Sequence, residues 1–140
     1  MQYLDTSLLV TALTNEARTG TIQEWLAEQA AGQLAISDWV VTEFSGALSI
    51  KVRSGQLGSE HRVEVLATFT RLTEESFLVL PVSRLDFRTA ARFADQYKTG
   101  LRSGDALHLA VAANHGVRLV SLDHRLVQAG KALGVSTAVL

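Results

Sequence analysis

The sequence predicts an α/β domain in which a mostly parallel sheet is covered by helices on both faces, and three observations carry that prediction. Short apolar runs of strand length alternate with segments of helical periodicity from one end to the other. No linker, repeat or low-complexity tract interrupts the 140 residues, which make one domain long enough to bury a core without disulfide staples. Two strand-like runs end in aspartate and two helix-like runs carry a lone acid, at Asp5, Asp123, Glu43 and Asp105. An acid on an apolar run is costly unless something compensates its charge.

Residues 2–5 (QYLD) read as the first strand, with Asp5 at its carboxyl end, and the apolar stretch 7–13 (SLLVTAL) as the helix after it. Thr21 and Glu24 have capping-box spacing. With Ile22, Trp25, Leu26 and Gln29 they predict a surface helix ending near Gly32. Residues 34–37 (LAIS) form a second strand, and Ser37 or Asp38 caps the next helix. Its apolar stripe is Val40, Phe44, Ala47 and Leu48, with Glu43 on the border of that stripe.

A turn over residues 53–59 leads to a helix marked by Val63, Leu66, Ala67 and Thr70. Residues 76–82 are the third strand, placed at a sheet edge because Pro81 cannot donate to a ladder. Ser83 and Asp86 open the next helix, whose Phe87, Ala90, Ala91 and Ala94 are expected to face inward while Arg84, Arg88 and Arg92 share another face. Residues 104–116 are apolar nearly all round, a buried helix closed by Gly116. The polar groups inside it, Asp105 and His108, fall on one face. Residues 117–123 make a fourth strand ended by Asp123, residues 124–134 a last helix, and 136–140 a fifth strand.

Composition narrows the chemistry. With no cysteine, the chain has no thiolate metal site and no cysteine nucleophile, so oxygen and imidazole must do the work. No two histidines have zinc-ligand spacing beside an acid on one helix. The formal charge of −1 argues against a simple basic nucleic-acid coat, yet setting the four acids aside leaves ten acids against thirteen bases, an acidic pocket in a mildly basic shell. No apolar run reaches bilayer length and no basic leader precedes one, so no membrane contact and a cytoplasmic location are expected.

In a parallel sheet the working crevice lies beyond the carboxyl ends of the strands. Asp5 and Asp123 end strands there, and the helices carrying Glu43 and Asp105 reach the same edge. Converging carboxylates repel unless a cation joins them. An all-oxygen set suits Mg²⁺ or Mn²⁺, which activates water and orients a phosphodiester. Helix capping competes with this reading, most directly at Asp123, which precedes a helix. His108 is read first as a satisfied core histidine and second as a group that orients a carboxylate or contacts substrate. The stripe Arg84, Arg88 and Arg92 is read first as a solvated face and second as a phosphate-binding one, whereas Arg102, three residues before Asp105, is better placed to meet substrate or to pair with an acid. Trp25 and Trp39 fit a core or an interface between copies.

The opening YLDTSLLV, the mid-chain Glu43, the run LRSGDALHLA and the ending LVSLDHRLVQAGKALGV resemble the VapC-type PIN-domain ribonucleases, the toxin halves of bacterial toxin–antitoxin pairs. That resemblance spans the whole chain and implies a five-stranded parallel sheet of order 3-2-1-4-5. It implies a catalytic, metal-binding set of Asp5, Glu43, Asp105 and Asp123, with Asp123 as the second-tier member. Thr6, Ser7 and Ser121 fall where the family has supporting hydroxyls. It further implies cleavage of RNA with Mg²⁺ or Mn²⁺, homodimerisation, and neutralisation by a VapB-type antitoxin. A receiver domain is excluded because no adjacent acid pair follows the first strand, and a haloacid-dehalogenase-like phosphatase because Ser7 stands where its second Asp would be. The remaining rival is a non-catalytic PIN-fold interaction domain whose acids are helix caps.

Overall fold

In the computed structural model, which describes residues 1–140, the chain opens with β1 (Gln2–Leu4) and turns at Asp5 into α1 (Thr6–Leu13). The helix starts there because the Asp5 carboxylate accepts the backbone N–H of Leu8 at 3.3 Å, a cap worth about 1 kcal/mol. Leu8, Leu9, Val10 and Ala12 then bury the inner face of α1. The following helix, α2 (Thr19–Ala27), begins two residues before the expected capping box and ends well before Gly32. Its N-cap, Arg18, makes no side-chain cap. Instead the Thr19 hydroxyl lies 2.8 Å from the carbonyls of both Thr11 and Thr14 and accepts from Glu16 N–H, tying the helix start to the end of α1. Thr21 stays exposed.

β2 (Leu34–Ser37) is buried along its length and runs into α3 (Asp38–Arg53), capped by Ser37 rather than Asp38. Val40, Phe44 and Leu48 bury as expected, with Ala47 half-buried. α4 (Ser59–Glu75) follows. Its buried stripe is Val65 and Phe69, whereas Val63, Ala67 and Thr70 are exposed. The decisive contact is Phe69 stacking on Phe44 with ring centroids 4.0 Å apart, which sets the helix's rotation in place of the smaller residues.

β3 (Leu78–Leu80) lies at the sheet edge, as Pro81 predicts. α5 (Arg84–Asp95) opens on the expected capping box of Ser83 and Asp86. Its inward face matches the expected one at Ala90, buried, and Ala94, half-buried, but Asp86 and Thr89 are buried as well, Phe93 is half-buried, Ala91 is exposed and Phe87 is 58% exposed. Two polar residues face inward because Asn114 donates to the Asp86 carboxylate at 2.7 Å and to the Thr89 hydroxyl at 3.3 Å, so the buried groups are paired.

A 3-10 turn (Tyr97–Thr99) leads to α6 (Ser103–His115), buried from Ala106 to Ala112 and ended by Gly116 at φ +65°. β4 (Arg118–Ser121), α7 (His124–Ala132) and β5 (Thr137–Val139) complete the chain. All five strands are parallel, in the order β3-β2-β1-β4-β5. The chain winds outward from β1 to β3 on one side and from β4 to β5 on the other, so the switch point lies between β1 and β4. Leu4 pairs with Val120 there, which brings Asp5 beside Ser121 at the carboxyl edge.

Gly130 lets α7 approach β5 and α6. A Cβ on it would lie 2.5 Å from Thr137 Cγ2 and 2.9 Å from Leu109 Cδ2. Gly130→Ala is therefore expected to destabilise the fold by about 1–3 kcal/mol. A urea melt coinciding with that of the parent would contradict this packing.

Candidate active site

Two neighbouring strands and two helices deliver the four acids. Asp5 leaves β1, Asp123 follows β4 by two residues, Glu43 lies in the second turn of α3, and Asp105 in the first turn of α6. The strand ends are adjacent because β1 and β4 pair directly.

Asp5 is the most enclosed of the four, only 4% exposed. Ser7 donates to its Oδ1 and Ser121 to its Oδ2, each at 2.7 Å, in addition to the Leu8 N–H. Burial pushes its proton affinity up, and these donors together with His108 only partly offset that. Glu43 is held by Thr6, whose hydroxyl donates to Oε1 at 2.6 Å, and by His108 Nε2 on the same oxygen. Burial raises its pKa, but the imidazole and the hydroxyl outweigh burial and hold the carboxyl below its usual range. All three expected hydroxyls, Thr6, Ser7 and Ser121, thus donate to an acid.

Asp105 has no compensating donor. Its pKa is raised, first by burial and then by the negative charges of Asp123, Glu43 and Asp5, with only His108 acting the other way. These influences place Asp105 within the field of the other three acids. Asp123 is exposed and caps α7, accepting from Arg125 and Leu126 N–H through Oδ1, while its own N–H donates to Ser121. The capping reading is therefore correct for Asp123 and also describes part of what Asp5 does. It does not account for Glu43 or Asp105, neither of which caps a helix.

His108 is both the satisfied core residue and the carboxylate-orienting one. It is 2% exposed, its Nδ1 lies 2.7 Å from the Tyr3 hydroxyl, and that hydroxyl lies 2.8 Å from Ser37 Oγ. Satisfying every group assigns the direction of this wire. Val40 N–H donates to Ser37, Ser37 to Tyr3, Tyr3 to Nδ1, and Nε2–H to Glu43. Desolvation raises the Tyr3 pKa far above its ordinary value, so Tyr3 keeps the proton this arrangement requires.

Sequence reasoning missed three contributors: Tyr3, Ser37 and Gly104. A Cβ on Gly104 would sit 3.2 Å from Glu43 Oε2 and 3.4 Å from Trp39 Cζ2. The glycine before Asp105 in the SGD run was the available signal. Trp39 also donates to the Gly104 carbonyl at 3.3 Å, so it packs beside the acids.

A cleft of about 710 Å³ opens on Asp105 and Asp123 and is also lined by Lys98, Arg102, His124 and Arg125. Arg84, Arg88 and Arg92 are exposed on α5 and do not line it. No three acid or imidazole groups are gathered into a ready-made ion cage. The donor chemistry nevertheless fits a hard divalent cation, because all four groups present oxygen. Asp105, with no hydrogen bond and a charge repelled by its neighbours, is the group such a cation relieves most.

The sequence profile of the PIN domain matches residues 2–132. The chain belongs to the PIN domain family. No curated protein matches it in sequence. Among solved structures, Mycobacterium tuberculosis VapC20, a Sarcin-Ricin loop cleaving toxin, superposes with a TM-score of 0.74 at 20% identity, covering 96% of each chain. FitAcB from Neisseria gonorrhoeae gives 0.71 at 18%, covering 98% of this chain and 96% of that one. VapBC2 from Rickettsia felis, bound to a DNA fragment from its promoter, gives 0.69 at 18%, covering 100% and 99%. At these identities the likeness is one of fold, and the PIN fold of order 3-2-1-4-5 is the one expected from the resemblance to VapC-type proteins. No helix of this PIN domain is long and apolar enough to cross a membrane.

Proposed function

We propose that this PIN domain is a metal-dependent endoribonuclease, the toxin of a toxin–antitoxin pair. The observation that carries the reading is the arrival of Asp5, Glu43, Asp105 and Asp123 at the carboxyl edge of β1 and β4, with the least compensated of them, Asp105, open to a cleft. The likeness to VapC20 and to VapBC2 supports the RNA substrate and the VapB-type antitoxin, and the family supports a homodimer.

In this reading Asp5, Glu43 and Asp105 would hold Mg²⁺ or Mn²⁺, with Asp123 as the outer member. The cation supplies Lewis acidity toward a phosphodiester and a water of lowered pKa. The chain does the positioning. Ser7, Ser121 and the first turn of α1 fix the Asp5 oxygens, and Thr6 with His108 fixes Oε1 of Glu43, leaving Oε2 on the Gly104 side. Glu43, held ionised below its usual range, remains an acceptor at neutral pH. Arg102 at the cleft is suited to the phosphate, whereas Arg84, Arg88 and Arg92 on α5 would act only on a longer substrate.

The purified protein is expected to cleave RNA in Mg²⁺ or Mn²⁺ and to stop when EDTA is added. Cleavage that persists undiminished in EDTA would exclude the metal mechanism. No cleavage under any metal, with antitoxin binding intact in the acid-to-amide variants, would favour the interaction-domain reading.

A further inference from the structure

The cleft beside the acids carries more cations than anions, and those cations are unpaired. Lys98 in the 3-10 turn, Arg102 just before α6 and Arg125 in the first turn of α7 converge on it with His124, facing Asp105 and Asp123. Neither the Lys51–Glu16 ion pair nor the His108–Glu43 hydrogen bond involves any of them. All three are exposed, and none donates a side-chain hydrogen bond that would explain its position through the fold. Unpaired cations around one concavity repel each other at a cost that an incoming polyanion removes. The volume, about 710 Å³, lies in the range that takes a ligand-sized group.

We propose that Lys98, Arg102 and Arg125 form the phosphate track of this site, holding a single strand of RNA along the cleft between the 3-10 turn and α7 as it leaves the acids. The proposal rests on the ribonuclease reading and deepens it by assigning the strand's path. The carboxylates of the cleft, Asp105 and Asp123, repel a phosphate until a cation is bound there, while Lys98, Arg102 and Arg125 attract the neighbouring phosphates with or without one. The arginines of α5 lie outside this path because none of them lines the cleft.

The track is tested by fluorescence anisotropy with a short fluorescein-labelled single-stranded oligoribonucleotide in Ca²⁺ buffer across a salt series. The variants are the triple Lys98→Ala/Arg102→Ala/Arg125→Ala and the charge-matched Arg84→Ala/Arg88→Ala/Arg92→Ala. Thermal melts confirm that both fold. The cleft variant is expected to bind at least about tenfold more weakly at low salt, with a log–log salt slope shallower by about 2, while the α5 variant keeps the parental slope. If the parent binds and cleaves RNA but the cleft variant keeps its slope, or both variants lose it equally, the track is overturned and the nuclease reading stands. If the parent binds no RNA at all, both fall.

Discussion

Asp105→Asn is expected to lower metal-dependent RNA cleavage by at least about a hundredfold while making the metal-free fold more stable. The first half follows from assigning Asp105 to the cation, because losing one charged oxygen ligand removes several kcal/mol of charge stabilisation at the reacting phosphate. The second half follows from its surroundings. The carboxylate accepts no hydrogen bond, and it is raised by burial and by three neighbouring negative charges. An amide there loses no partner and ends the repulsion. The group is only half-buried, so solvent screening limits the gain to about 0.5–1 kcal/mol, or roughly 2–4 °C in Tm.

The pH dependence carries the same sign. Asp5 and Asp105 hold protons more tightly in the folded chain than in the unfolded one. Between the ordinary carboxylate range and their raised values the native state binds more protons, so the stability present at lower pH is lost as pH rises through that window. Glu43 runs the other way, since its lowered pKa gives stability that is lost only on further acidification. Metal-free melts of the parent should therefore show a fall in Tm as pH rises above the ordinary carboxylate range, and a smaller fall in Asp105→Asn. A variant less stable than the parent at neutral pH would mean that Asp105 serves the fold.

The second large effect is expected at the wire behind Glu43. His108→Leu leaves the Tyr3 hydroxyl buried without its acceptor and Glu43 without its imidazole, at a cost of about 2–4 kcal/mol. Because that variant confounds folding with function, Tyr3→Phe separates them. It keeps the ring and removes the hydroxyl that accepts from Ser37 and donates to Nδ1, costing about 1–3 kcal/mol. If the wire positions Glu43, kcat falls several-fold, KM changes little and the acid limb of the pH–rate profile shifts. A Tyr3→Phe enzyme with the parental profile would reduce Tyr3 and His108 to packing.

Much of this site was legible because its parts are local. An aspartate closing a strand-like run, as at Asp5 and Asp123, is visible in five residues, and the alternation of runs specifies a parallel sheet whose carboxyl edge collects them. Glu43 could be placed on a stripe border by helical geometry alone. The contacts that set helix rotation were not legible. Phe87 faces solvent because Asn114, from another helix, satisfies Asp86 and Thr89 on the inward side. The α4 stripe follows Phe69, whose partner Phe44 lies one helix away. Tyr3 and His108 are 105 residues apart, and only the register of the folded sheet reveals that a strand tyrosine completes the support of a helix glutamate.

The central claim, that these four acids form a divalent-cation site that cleaves RNA, is tested most directly by titrating Mn²⁺ into the parent and into Asp5→Asn, following the free-ion paramagnetic resonance signal and assaying RNA cleavage in the same samples. The account predicts that the parent depletes free Mn²⁺ and cleaves in proportion to the bound ion, and that Asp5→Asn, folded, does neither. Equal cleavage by both proteins, or cleavage by the parent without bound Mn²⁺, would contradict it.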